Sequence, residues 1–172
     1  LRGASSSSTA LTLADATALQ NKFEAPDVAS VSPVVTANSV TLTYDGATYT
    51  PSSFIGTTPS YETARSYTTA EGSWFTSSQE NNHSRVLVVG PTVVSSLFGG
   101  QDPVGDSVQV NGTSYQIVGG TASKGSNGTA NQDDVAIAPL TAAQDTLTGY
   151  GSINQIVVQA KSTQTLTAAQ TE

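Results

Sequence analysis

Apolar residues alternate with threonines at Val40, Leu42 and Tyr44, the period of a half-buried strand, and Asp45-Gly46 supplies a tight turn before a return strand at 48–50. The same figure recurs more cleanly downstream. Residues 107–110, Asn111-Gly112 and residues 113–118 predict a second hairpin, because Asn-Gly suits a type I′ turn. Phe54-Ile55-Gly56 has strand character, and residues 153–160 predict the last strand. Two runs, 86–89 and 135–138, are apolar without alternation and predict strands covered on both faces, the second stopped by Pro139. Residues 31–35 form a shorter apolar run interrupted by Pro33, which restricts it to a sheet edge or a bulge.

Helical signals are fewer. Thr12 with Asp15 three residues on is a capping box, and Leu13, Ala14, Ala18 and Leu19 form one apolar stripe, so a helix is predicted over 13–22, ended by Pro26-Asp27. Gly90-Pro91-Thr92 leads into a short helix over 93–98. Thr141 with Gln144 reads as a second capping box, opening a helix to about Leu147 that Gly149 terminates. Tyr61, Ala64, Arg65 and Tyr67 are spaced for one or two helical turns, and residues 166–172 for the start of a final helix. Residues 1–10, with four consecutive serines, read as a flexible lead-in; 119–131, rich in glycine and serine, as a mobile loop; and 77–84 as a polar stretch.

Composition narrows the function classes. The 172-residue chain has no cysteine, which removes disulfides, thiolate metal sites and cysteine nucleophiles together. Methionine is absent as well, from which we expect an internal piece of a longer protein. Charged residues make up 11%, against about 25% in typical domains, while serine and threonine exceed a quarter of the chain. Six basic and thirteen acidic residues give a net charge of −7, with no basic cluster to neutralise a row of phosphates, so nucleic acid and anionic membrane surfaces are poor partners. Such a composition is of the kind found in extracytoplasmic domains of Gram-positive bacteria. No apolar run approaches the roughly 20 residues that cross a bilayer, so membrane attachment is expected outside this stretch.

Candidate chemistry is sparse. The single histidine, His83, lies in a polar stretch and no G-x-S-x-G elbow accompanies it, so a surface histidine is the plainer account than a hydrolase base. Asp133-Asp134 are candidates for a hard cation, yet adjacent carboxylates diverge in extended chain and no third acid has calcium-loop spacing. Lys124 within 119–126 resembles a phosphate loop superficially but lacks the required order of residues. Glu71 stands near Trp74 and Phe75, the one acid in an aromatic neighbourhood of the sort sugar clefts use; core packing is the commoner reason for such aromatics. Asn82, Asn111 and Asn127 open glycosylation sequons, and Asn111 already has a turn to explain it. The residues alone therefore describe a mostly β domain with no catalytic, cofactor-binding or metal residues assigned.

An ordered series of segments carries a resemblance. It comprises Leu11-Thr12-Leu13-Ala14-Asp15, Val31-Ser32-Pro33-Val34-Val35, Ile55-Gly56-Thr57-Thr58-Pro59-Ser60-Tyr61, Glu71-Gly72-Ser73-Trp74-Phe75-Thr76 and Val86-Leu87-Val88-Val89-Gly90-Pro91-Thr92-Val93. Its most specific part is Asp102-Pro103-Val104-Gly105-Asp106-Ser107-Val108, continuing through the Asn111-Gly112 hairpin. Read together, these resemble the MacB-like periplasmic core domain of ABC transporter permeases, in the FtsX-like superfamily that includes LolC and LolE. Ser73 stands where the family carries arginine and Asp106 where it carries lysine.

The resemblance implies an α+β fold: a Porter-like α/β lobe from both chain ends, 11–56 and 152–172, with a β-rich Sabre-like lobe, 57–151, inserted. It implies a non-enzymatic extracytoplasmic domain of a permease subunit in the cell membrane. Such a domain couples ATP-driven motion of membrane helices to export or release of a peptide, antibiotic or lipoprotein. Expected partners are a second permease protomer, a cytoplasmic ABC ATPase acting through the membrane helices, and an extracytoplasmic adaptor or the exported substrate. A ligand-binding or sensor module for peptides or antimicrobial compounds is the alternative. Loops held on a rigid scaffold concentrate binding residues, so Lys124, Gly125, Ser126, Asn127 and Gly128 are expected to face a partner, as is the 77–84 stretch.

Overall fold

A computed structural model describes residues 10–21, 27–126 and 131–161. Ten strands join in one mixed sheet. β1 (Val28–Ala37), β2 (Leu42–Tyr44), β3 (Ala47–Tyr49), β4 (Ser53–Thr57), β5 (Thr69–Gly72), β6 (Val86–Val89), β7 (Ser107–Val110), β8 (Thr113–Thr121), β9 (Val135–Pro139) and β10 (Gln155–Ala160) follow in chain order. Across the sheet the order is β10-β1-β4-β9-β6-β8-β7-β2-β3, with β5 paired to β8. Five short α-helices accompany it among the described residues: α1 (Leu13–Gln20), α2 (Tyr61–Ala64), α3 (Ser77–Asn81), α4 (Pro91–Phe98) and α5 (Leu140–Ala143). This is the α+β architecture the segment order implied.

Both hairpins form where local turn chemistry placed them. Asp45 and Gly46 have φ of 46° and 80°, Asn111 and Gly112 have 47° and 85°, the double positive φ of a type I′ turn. The central strands are covered on both faces, which is why their runs do not alternate. Val86 and Val88 pack with Trp74, Phe75, Val135 and Ile137 on one face. Leu87 and Val89 pack with α4 (Val93, Leu97, Phe98), Leu42, Val108, Tyr115 and Ile117 on the other. Each such fully buried side chain contributes about 1.5–3 kcal/mol. A third cluster joins Ala16, Val31, Val35, Leu140, Ala143 and Ile153 beneath α1.

Several expectations are corrected. Pro33 does not mark an edge: β1 has β10 on one side and β4 on the other. The proline is accommodated because the β4 ladder begins only at Val34, leaving Pro33 paired in register with Ile156 alone. The Thr12–Asp15 capping box forms, but α1 packs through Ala16 and Leu19 and leaves Leu13, Ala14 and Ala18 exposed, so of the expected apolar stripe Leu19 alone faces the core. That helix ends at Gln20; Lys22 lies outside the described residues, as do 1–9 and the helix expected at 166–172. The capping box at Thr141–Gln144 does not form. Pro139 occupies the cap, and the hydroxyl of Thr141 donates instead to the backbone carbonyl of Glu80 (2.6 Å). α5 then relaxes into a π-helical turn, Gln144–Thr148, ended by Gly149 at φ 71°. β5 was not foreseen. The loop expected from Gly119 begins only at Ala122, since Gly119, Gly120 and Thr121 belong to β8 and are buried. Much of the 77–84 stretch is helix α3, set by a capping box of Thr76 with Gln79.

Candidate functional site

Four aromatic side chains form a row beside the segment that follows β8. α2 is a single turn, and Ser66, left-handed at φ 54°, reverses the chain so that the Tyr67 amide donates to the Glu62 carbonyl (2.9 Å). Tyr67 thereby stacks on Tyr61, with ring centroids 6.1 Å apart, and lies 6.0 Å from Trp74, which stacks on Phe75 at 5.5 Å. Burial pushes the Tyr67 hydroxyl up to about 12, and the Tyr61 hydroxyl is also raised, so both are neutral phenols at physiological pH.

Two cations lie on this row. The Arg65 guanidinium is 5.9 Å from the Tyr61 ring centroid, and the Lys124 ammonium is 4.2 Å from that of Tyr67, where it also donates to the Arg65 carbonyl. Burial, then the like charge of Arg65, lowers the affinity of Lys124 for its proton.

Lys124 is held there by backbone pairing and by one carboxylate. β5 pairs with β8, Thr69 opposite Thr121, and the Ala122 amide donates to the Thr68 carbonyl (2.7 Å), so the segment starts alongside Tyr67. Asp133 then accepts from the Ser123 hydroxyl (2.6 Å) and from the amides of Lys124 (2.6 Å) and Gly125 (3.1 Å). These bonds, the Ser123 hydroxyl foremost, hold its carboxyl below the usual range. The Gln132 amide donates to the Gly125 carbonyl (3.1 Å) and closes the segment. Beside α2 lies a cavity of about 160 Å³, lined by Ser53 and Ile55 of β4, by Tyr61, Arg65 and Tyr67, and by Asn131, Gln132 and Val135. A larger recess of about 340 Å³ at Thr36, Asn38, Asn111, Thr148, Ser152 and Asn154 has no ionisable lining residue. Of these two, the first combines charge with aromatic surface.

The sequence candidates fall as follows. Lys124, Gly125 and Ser126 do not line the cavity but touch residues that do: Lys124 lies over the Tyr67 ring, the Gly125 carbonyl accepts from the Gln132 amide and Ser126 pairs with Asn131; Asn127 and Gly128 lie outside the described residues. Asp133 and Asp134 face apart, Asp133 to the segment just described, Asp134 to the Tyr49 hydroxyl (2.9 Å) and to the amide (3.1 Å) and hydroxyl of Ser52. Both are spent on holding backbone. His83 pairs with Asp145 (2.7 Å), and Tyr150 donates to the same carboxylate. Glu71 is exposed on β5, while Trp74 and Phe75 are core residues.

One buried acid escaped the sequence reading. Glu80 on α3 points at the N-terminus of α5, where Oε1 accepts from the Thr141 amide (3.3 Å) and Oε2 is buried with no hydrogen-bond partner of its own among the described residues. Burial raises its carboxyl from 4.5 to about 7, against the pull of the Thr141 and Leu140 amides and of His83. The signal was present: Thr76-Ser77-Ser78-Gln79 is a capping-box sequence, and it fixes the helix that aims Glu80.

The family model described as MacB-like periplasmic core domain matches residues 2–172. A Macrolide export ATP-binding/permease protein MacB from Syntrophobacter fumaroxidans is 32% identical over 145 residues, covering 84% of this chain and 20% of that protein. The protein of the same name from Azoarcus is 31% identical over 150 residues, 87% of this chain and 23% of that protein. The chain thus spans about a fifth of the length of these relatives. Among solved structures, the periplasmic region of MacB from Actinobacillus actinomycetemcomitans superposes with a TM-score of 0.76 at 19% identity, covering 94% of this chain and 70% of that one. The extracellular domain of the noncanonic ABC-type transporter YknZ from Gram-positive bacteria gives 0.76 at 17% identity, with 93% and 78% covered. At these identities the superpositions speak for the fold alone.

Proposed function

The chain belongs to the MacB-like periplasmic core domain family, and from that membership we propose that it is the extracytoplasmic domain of an ABC transporter permease subunit. In this reading it carries the motion of membrane helices outward to export or release of a substrate, while ATP is hydrolysed by a separate cytoplasmic subunit or domain. The observation that carries the reading is the family match along residues 2–172. The fold suits the task mechanically. A sheet whose central strands are packed on both faces moves as a stiff body, so a push at one end is delivered at the other instead of being absorbed.

The lobes belong to the same proposal: 11–56 and 152–172 Porter-like, 57–151 Sabre-like. β10, β1 and β4, drawn from the two ends of the chain, lie side by side and support it, while the β2–β3 hairpin reaches across to pair with β7. A second permease protomer and a cytoplasmic ATPase complete the assembly at the outer face of the cell membrane. An adaptor or the exported substrate meets the domain through the segment of Lys124, Gly125, Ser126, Asn127 and Gly128. The exported class is peptide, antibiotic or lipoprotein, and the relatives named for macrolide export favour the antibiotic. The aromatic and cationic groove favours a second reading, a module that binds its ligand directly. Replacing residues 1–172 by a short Gly/Ser linker in the full-length permease tests the first. ATP hydrolysis should persist while export is lost; export at the undisturbed rate would refute it.

A further inference from the structure

Arg65 and Lys124 stand next to each other in a chain of net charge −7. Among the described residues the recorded ion pair is His83–Asp145, so neither cation has a carboxylate within salt-bridge distance. Among the described residues they touch the two tyrosine rings, the Tyr61 hydroxyl, which bonds Arg65, and the Arg65 carbonyl. The Asp133 carboxylate stands nearby but is bound to the Ser123 hydroxyl and to the Lys124 and Gly125 amides rather than to either cationic side chain; bringing like charges together is unfavourable, and an anion seated between them reverses the sign of that interaction. Lys124 keeps further ammonium protons to donate, and the Arg65 guanidinium is a planar fork shaped for a carboxylate.

The surroundings define what the anion is attached to. Ile55, Val135 and the Tyr61 and Tyr67 rings supply apolar and aromatic walls, and Ser53, Asn131 and Gln132 polar ones. A volume of about 160 Å³ lies below the roughly 300–1,000 Å³ of pockets that enclose a whole ligand, so the groove takes one group of a larger molecule. We propose that the groove lined by Tyr61, Arg65 and Tyr67, with the Lys124 ammonium lying over the Tyr67 ring, binds a carboxylate next to an aromatic or branched apolar side chain, the arrangement found at a peptide C-terminus. The carboxylate meets Arg65 and Lys124, and the neighbouring side chain lies along the tyrosines. This rests on the reading of the Lys124 segment as partner-facing and gives that partner its chemistry.

Trp74, the only tryptophan, is 6.0 Å from Tyr67 and makes the groove self-reporting. Titrating the chain with N-acetyl-phenylalanine under tryptophan-selective excitation should give a saturable change. N-acetyl-phenylalaninamide, which lacks the charge, should bind at least tenfold more weakly, and affinity for the acid should fall as salt rises. Arg65→Gln and Lys124→Gln should each weaken binding about five- to tenfold, with Arg65→Lys intermediate and Lys161→Gln, outside the groove, without effect. Tighter binding of acetyl-Ala-Ala-Ala-Phe than of the single residue assigns a peptide as source; equal binding assigns a small acid. Equal affinity for acid and amide, or variants that bind as the parent chain does, would overturn the proposal. Export by the full-length permease separates it from the reading beneath it. Variants that lose the probe yet export normally leave the carboxylate site standing and remove its partner role. Variants that stop export in a chain that never bound the probe do the reverse.

Discussion

Glu80→Gln isolates the cost of one buried carboxylate. In the folded chain the Glu80 carboxyl titrates at about 7, against 4.5 for its ordinary value, because burial penalises the ionised form. Below pH 4.5 the group is protonated whether the chain is folded or not, and stability is unaffected. As pH rises towards 7 the unfolded chain sheds the proton and the folded one retains it, so stability falls; above 7 the loss is constant. At about 1.36 kcal/mol per pH decade the upper bound is about 3.4 kcal/mol, and solvent at the rim of the site brings this to roughly 1–2 kcal/mol. Glutamine keeps an acceptor for the Thr141 amide and has no charge to bury. Urea unfolding of both chains at pH 4.5, 6 and 8 should therefore show Glu80→Gln the more stable by roughly 1–2 kcal/mol at pH 8, the difference shrinking towards pH 4.5. Parallel stability profiles, or a variant weaker at pH 8 than at pH 4.5 relative to the parent, would refute the reasoning.

Three further substitutions probe the scaffold. A methyl group on Gly56 would run into the Ala143 side chain and lie 2.7 Å from Val35 Cγ2, so Gly56→Ala should lower stability by about 1–3 kcal/mol; an unchanged urea midpoint would contradict the packing described. Asp134→Ala removes the carboxylate that accepts from the Tyr49 hydroxyl and the Ser52 amide; Ser96 still bonds Tyr49 and Ser52 is exposed, so the cost should be about 0.5–1.5 kcal/mol, and an unchanged urea midpoint would show these bonds to be idle. Asn111→Ala gives up both a residue tolerant of φ 47° and the bond from the Thr41 amide to Oδ1 (2.8 Å), a loss of about 2 kcal/mol; Asn111→Gly, which keeps the turn, should recover about half, and equal losses would separate the turn from the effect.

What could be read ahead of the structure was what is encoded locally. Asp45-Gly46 and Asn111-Gly112 determine their own φ, and the run Val86–Val89 announces burial on both faces without help from the rest of the chain. Contacts made across the sheet were illegible. Pro33 belongs to an inner strand because β4 joins one residue after it, and nothing near Pro33 encodes that. Thr141 is bonded by Glu80, 61 positions away, so the apparent cap at Thr141 and Gln144 was a pattern with no structural consequence. The groove fails the same way. Tyr61, Arg65 and Tyr67 were visible as a spacing, and Lys124 as part of a loop, but the pairing of Thr69 with Thr121 brings them together. The helix carrying Glu80 is different: its capping sequence at Thr76 and Gln79 was there to be read.

The central claim, that the domain is a mechanical relay, is tested most directly by watching it move. The chain has no cysteine, so Ser95→Cys on the exposed side of α4 gives a unique label in an otherwise cysteine-free full-length permease. Pulsed electron spin resonance then reads the distance between the labels of paired protomers with and without trapped ATP. The account predicts that the distance distribution shifts when nucleotide is trapped. Superimposable distributions in a permease that still exports its substrate would contradict it.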